Sequence, residues 1–140
     1  MQALRRRPSG FSLIELMIVL VIVAILLAIA VPSYRRYVIR GNRVDAQRTL
    51  VDLAGRQERY YYTNNAYTTS LSNLGSADTA AGTNYTVGVA SASTTAFVVQ
   101  AVPLGKQLAQ DKQCSKITLS NTGVQGSTGT TANDPGCWSR

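Results

Sequence analysis

The sequence predicts an α+β chain: a long kinked N-terminal helix packed against a small antiparallel sheet of three to four strands, with a disulfide-bounded C-terminal loop. Three observations carry this. From Phe11 to Val31 only Ser12 and Glu15 are polar, and an amphipathic stretch continues beyond this apolar run. Apolar alternation then recurs in Tyr85-Thr86-Val87-Gly88-Val89, at Phe97, Val99 and Ala101, and in Ile117-Thr118-Leu119, as half-buried strands require. Cys114 and Cys137 are the only cysteines, so one intramolecular bridge is the single pairing open to them.

A chain of 140 residues with 45% hydrophobic composition has room for one modest domain, and much of its apolar content lies near the N-terminus. Residues 62–140 are rich in Thr, Ser, Asn and Gly, so this head buries little apolar surface and needs a staple or a helix to pack on. A bridge between Cys114 and Cys137 would constrain the unfolded chain by roughly 3 kcal/mol. Two buried free thiols are the alternative. Their late position, beyond a membrane-type helix, favours the disulfide and an oxidising compartment.

The formal charge is +7, but Arg5, Arg6 and Arg7 precede the apolar run. Without them, 11 basic residues face 7 acidic ones, a net +4. Most of the surplus lies on Arg35, Arg36, Arg40, Arg43, Arg48, Arg56 and Arg59, along the helix that follows. The expectation is a solvated or lipid-headgroup-facing helix surface, with DNA as the competing partner. The chain has no His, its cysteines are assigned to a bridge, and its acids show no metal-ligand spacing. Neither catalysis, a cofactor nor a metal site is expected.

As a helix, residues 11–31 reach about 30 Å, the thickness of a bilayer core. Arginines stand on both sides of the run, so the positive-inside count is nearly balanced. A cross-linked head belongs outside the cytoplasm, which leaves residues 1–10 inside. An ordinary signal peptide is the rival, with Arg5 to Arg7 as its basic region and Ala28-Ile29-Ala30 as a small-residue cleavage site. Cleavage after Ala30 would release a secreted soluble binding protein beginning at Val31. Against that reading, this run exceeds the usual about 7–15 apolar residues and carries Glu15. A carboxylate within a membrane helix costs on the order of 3 kcal/mol, so Glu15 calls for a positive partner.

The stretch Ser9-Gly10-Phe11-Ser12-Leu13-Ile14-Glu15-Leu16 resembles the class III leader junction of type IV prepilins. A Gly before a Phe, a Glu at the fifth place after the junction, the long apolar run and Pro32 at the twenty-second place coincide in order. The resemblance implies that prepilin peptidase cuts between Gly10 and Phe11 and methylates the new amino group of Phe11. Residues 1–10 are then a leader, and residues 11–31 stay as the transmembrane and filament-core helix. The resemblance also implies that the ammonium of Phe11 neutralises the Glu15 of an adjacent subunit, so that charge sets register while the apolar stripe drives association. A Glu that merely complements the helix macrodipole fits the position, but explains neither the apolar context nor the junction.

Pro32 lacks an N–H and its ring opposes the carbonyl of Ala28, so a bend is expected there. Ile39, Ala46, Leu50, Leu53 and Tyr60 share one helical face, which makes residues 32–61 an amphipathic half ending near residue 61. Tyr60, Tyr61, Tyr62 and Tyr67 read as core packing rather than as a platform for bases or sugars. The runs Gln57 to Tyr62, Asn65-Ala66-Tyr67 and Leu71 to Gly75 resemble the helix end and first loop of PilE-like minor pilins. Asn121-Thr122-Gly123 supplies a turn before a short fourth strand around Val124, and Gly126 to Asn133 reads as a mobile surface loop. The Cys137-Trp138 tail resembles the disulfide-bounded region of pilins.

The resemblance implies a structural subunit, a minor pilin held in the inner membrane by a single pass, with a cytoplasmic N-terminus and a periplasmic head. Assembly into a surface filament follows, for twitching motility, adhesion or DNA uptake. The implied partners are other pilins, the peptidase and methyltransferase, the assembly machinery and the membrane. A major pilin and a type II secretion pseudopilin are the alternatives within the class.

Overall fold

The computed structural model describes residues 10–76, 80–81 and 84–138. The expected leader, apart from Gly10, lies outside the described residues. The chain divides into two compact units between Arg36 and Tyr37.

Helix α1, Leu13–Asn64, crosses that boundary and contains Pro32. In the first unit its apolar side chains are exposed, and the Nε–H of Arg36 donates to the Pro32 carbonyl at 3.4 Å. The helix ends three residues beyond the expected 61 because local groups satisfy its last carbonyls. Tyr60 O accepts from Asn64 Nδ2 at 2.9 Å and Thr63 Oγ1 at 3.1 Å. Asn65, at φ 51°, donates its N–H to Tyr61 O at 2.8 Å.

In the second unit the strands are β1 Ala80–Ala81, β2 Tyr85–Ala92, β3 Phe97–Pro103, β4 Lys116–Ser120 and β5 Gln125–Thr128. They form an antiparallel meander in the order β1-β2-β3-β4-β5. The four longer strands are those expected from the sequence, and β1 adds a two-residue edge. The six-residue helix α2, Gly105–Gln110, between β3 and β4, was not anticipated.

One sheet face and one helix stripe make the core. Ala46, Leu50 and Leu53 of α1 are buried in one cluster with Tyr85, Val87, Phe97, Val99, Ala101, Ile117 and Leu119. Alternation places these strand residues on a single face. Cys114 and Cys137 are bonded and fully buried in the same cluster.

Three sequence expectations are corrected. Arg43 is not on the solvated face: with Gln57 it extends the buried stripe, while Ile39 and Tyr60 are only half-buried. Positions 43, 46, 50, 53 and 57 follow spacings of three and four, so both polar residues fall on the seam that faces the sheet. Tyr62 is 91% exposed, because it lies two positions past Tyr60 and points away from the packed face. Tyr67, by contrast, stacks on Tyr61 at 4.7 Å and meets Phe97 edge-on at 4.8 Å. Finally, Gly126–Thr128 belong to β5 rather than to a loop, with Ser127 buried.

Candidate assembly segment and the head that carries it

Gly10, Phe11 and Ser12 precede the first turn of α1 and are exposed, Phe11 at 80%. The Gly10–Phe11 bond is therefore extrahelical and accessible. The Glu15 N–H donates to Ser12 Oγ at 3.2 Å, an N-cap bond with Glu15 at the third helical position. The sequence reading gave Ser12 no such role, although Ser-x-x-Glu is a known cap pattern and was visible. The Glu15 side chain is exposed at a helix N-terminus, where a carboxylate is favoured by the macrodipole.

Above this turn, none of the large apolar residues from Leu13 to Val31 is buried. The helix is long and apolar enough to cross a membrane. A patch of this extent on an isolated chain marks a surface meant for lipid or for other proteins.

The head is held on the lower half of α1 by a buried polar hub. Arg43 binds Asp111 with both arms of its fork, Nε to Oδ2 at 2.6 Å and Nη2 to Oδ1 at 2.5 Å, and its Nη1 reaches the Gly136 carbonyl at 3.3 Å. The Asp111 carboxylate also accepts the Cys114 N–H at 3.2 Å and the Gln107 side chain at 3.1 Å. The same Gln107 amide faces Tyr85 Oη at 3.1 Å and accepts from Asn42 at 2.9 Å. One arginine thus ties α1 to α2, to the disulfide and to the last turn of the chain. The fork to Asp111 raises the Arg43 pKa, with burial opposing it. Burial pushes the Tyr85 phenol up to about 12, against a lowering effect of the Gln107 hydrogen bond.

Two further amides fasten the ends. Gln57 pairs with the Thr68 backbone, donating to its carbonyl at 2.5 Å and accepting its N–H at 3.1 Å. Gln47 donates to the Cys137 carbonyl at 2.9 Å. Among the described residues, no three His, Cys, Asp or Glu side chains gather as metal ligands would.

The comparisons agree with this architecture. Residues 32–118 match the family described as type IV minor pilin ComP, DNA uptake sequence receptor, and residues 5–31 match the prokaryotic N-terminal methylation motif. The chain is 33% identical to fimbrial protein EcpC of Eikenella corrodens over 89% of its own length and 81% of that protein's. It is 37% identical to the type IV wide pilus major component PilA4 of Thermus thermophilus, over 63% of its length and 70% of that protein's. In fold it is similar to the non-core minor pilin PilV of Neisseria meningitidis, with a TM-score of 0.55 and 23% identity, over 68% of this chain and 91% of that one. With the methylation motif at its start and the minor-pilin match over most of the remainder, the chain belongs to the type IV pilin family as a minor pilin, a subunit of a pilus.

Proposed function

We propose that the chain is cut between Gly10 and Phe11, methylated at Phe11, and held in the inner membrane by residues 11–31 with its head in the periplasm. From there it is drawn into a surface pilus. The observation that carries this is the exposed apolar helix with one carboxylate, Glu15, four residues from the expected new terminus. In the membrane the helix is solvated by lipid. In a filament, neighbouring helices replace the lipid, and the ammonium of one subunit answers the Glu15 of the next. Pro32 loosens the helix just past the apolar run, where membrane gives way to head.

The test is peptide mapping of pili sheared from cells. An N-methylated Phe11 peptide at trace abundance is expected, and Glu15→Ala should deplete it about tenfold while the head stays folded. A soluble form beginning at Val31 and absent from pili would sink the proposal.

A second reading is favoured by the description of the family that matches residues 32–118: the head contacts DNA during uptake. The surplus of basic residues supplies the charge such contact needs. The full-length protein in detergent should then bind duplex DNA with an affinity that falls steeply with salt. Absence of binding at low salt, where phosphate contacts are strongest, would end this reading.

A further inference from the structure

The last turn of the first unit carries chemistry that neither the apolar run nor the head uses. Tyr34, Arg35 and Arg36 close that unit and are exposed, Tyr34 at 70%. Neither arginine makes an ion pair among the described residues. The sequence holds no acidic residue between Glu15 and Asp45, so one helical turn in either direction brings neither guanidinium a carboxylate. A counter-charge for them has to come from outside this unit.

Depth selects its source. The hydrocarbon core of a bilayer is about 30 Å thick, and the headgroups add about 5–7 Å on each side. With residues 11–31 filling the core, Tyr34 stands about 4.5 Å and Arg36 about 7.5 Å beyond its edge, at a helical rise of about 1.5 Å per residue. The Nε–H of Arg36 donates to the Pro32 carbonyl at 3.4 Å, which turns the guanidinium back toward the apolar run and into the headgroup layer. A tyrosine is favoured at that level. A guanidinium there meets lipid phosphates, whose oxygens match its fork. Zwitterionic lipids set an ammonium beside each phosphate, whereas anionic lipids leave the phosphate charge open to the arginines.

We propose that Tyr34, Arg35 and Arg36 form a collar that binds the phosphates of anionic phospholipids at the head-side surface of the membrane. The waiting subunit then gathers a shell of acidic lipid where its helix leaves the bilayer. This deepens the membrane reading given above and rests on it.

The full-length protein is reconstituted in vesicles of phosphatidylcholine with a minority of phosphatidylglycerol, and the lipids excised with it in copolymer nanodiscs are quantified. Wild-type protein that stays out of the vesicles, or is washed off them by alkaline carbonate, would overturn the membrane reading and this inference with it. Where the protein is held, phosphatidylglycerol should exceed its bulk share, and the excess should fade in high salt. Arg35→Gln, Arg36→Gln, at two exposed positions, should lower the excess about fivefold, whereas Arg35→Lys, Arg36→Lys keeps most of it. Arg5, Arg6 and Arg7 are common to all these samples, so the difference between them isolates the collar. Arg59→Gln, at an exposed arginine of the second unit, should leave the excess unchanged. Embedded protein that gathers no phosphatidylglycerol would overturn the collar while sparing the membrane reading. An excess that survives the loss of both arginines, or falls equally in Arg59→Gln, would do the same.

Discussion

Arg43 occupies a core position and remains charged, and the cost of that arrangement is testable. Its side chain is 10% exposed and that of Asp111 1%, so removing either charge strands the other away from water. Arg43→Met should cost about 3–5 kcal/mol, read as a drop in the denaturation midpoint. Arg43→Met with Asp111→Leu should recover much of the loss, since an apolar pair strands no charge. Tyr85 gives the pH dependence. Its pKa rises from 10.0 to about 12, so below pH 10 the phenol is protonated in both the folded and the unfolded chain and its contribution is complete. Between those values the unfolded chain ionises first, and stability falls by about 3 kcal/mol in total. An ultraviolet titration should show a tyrosine phase near pH 12, and Tyr85→Phe should abolish it. At this scale the sequence was partly legible. Arg43 and Gln57 stood in register with Ala46, Leu50 and Leu53, but a search for apolar residues passes over charged or amide side chains at stripe positions.

Among the elements, β5 is the exposed flank of the sheet, and the C-terminal loop covers it. Ser127 O accepts the Asn133 N–H at 2.8 Å, and Gly126 O accepts Trp138 Nε1 at 2.9 Å. The bridge between Cys114 and Cys137 anchors that loop. Thr130 adds a second tie, donating through both its N–H and its hydroxyl to the Lys112 carbonyl at 3.0 Å. Gly129, at φ +154°, passes so close to the Gln113 carbonyl that any Cβ would collide with it. Covering an edge in this way prevents strand pairing between molecules. Replacing both cysteines by Ser should therefore do two things: lower stability by about 3 kcal/mol and make the protein associate with rising concentration in sedimentation. A destabilised variant that stays monomeric would show that the cover does not depend on the bridge. Strands β2, β3 and β4 were legible from alternation, whereas β5 was underestimated because Gln-Gly-Ser-Thr carries no apolar signal. Helix α2 was missed for a similar reason: its one buried side chain, Gln107, is polar.

On the scale of the whole molecule, the chain combines an apolar helical segment whose side chains are exposed among the described residues with a head that packs on the same helix further along. The first is suited to membrane and filament, the second to display. The apolar run, the methylation motif over residues 5–31 and the fold class were readable in the sequence, because such motifs and membrane-type hydropathy depend on short contiguous stretches. The bridge, too, followed from two cysteines and a compartment. What only the tertiary structure decided is which polar residues turn inward and which surfaces stay open. The fork of Arg43 to Asp111 and the bond between Asn42 and Gln107 join residues 68 and 65 positions apart. Their meeting depends on how a helix stripe, a meander and a cross-linked loop pack together, and packing is a property of shapes in space that no local pattern contains.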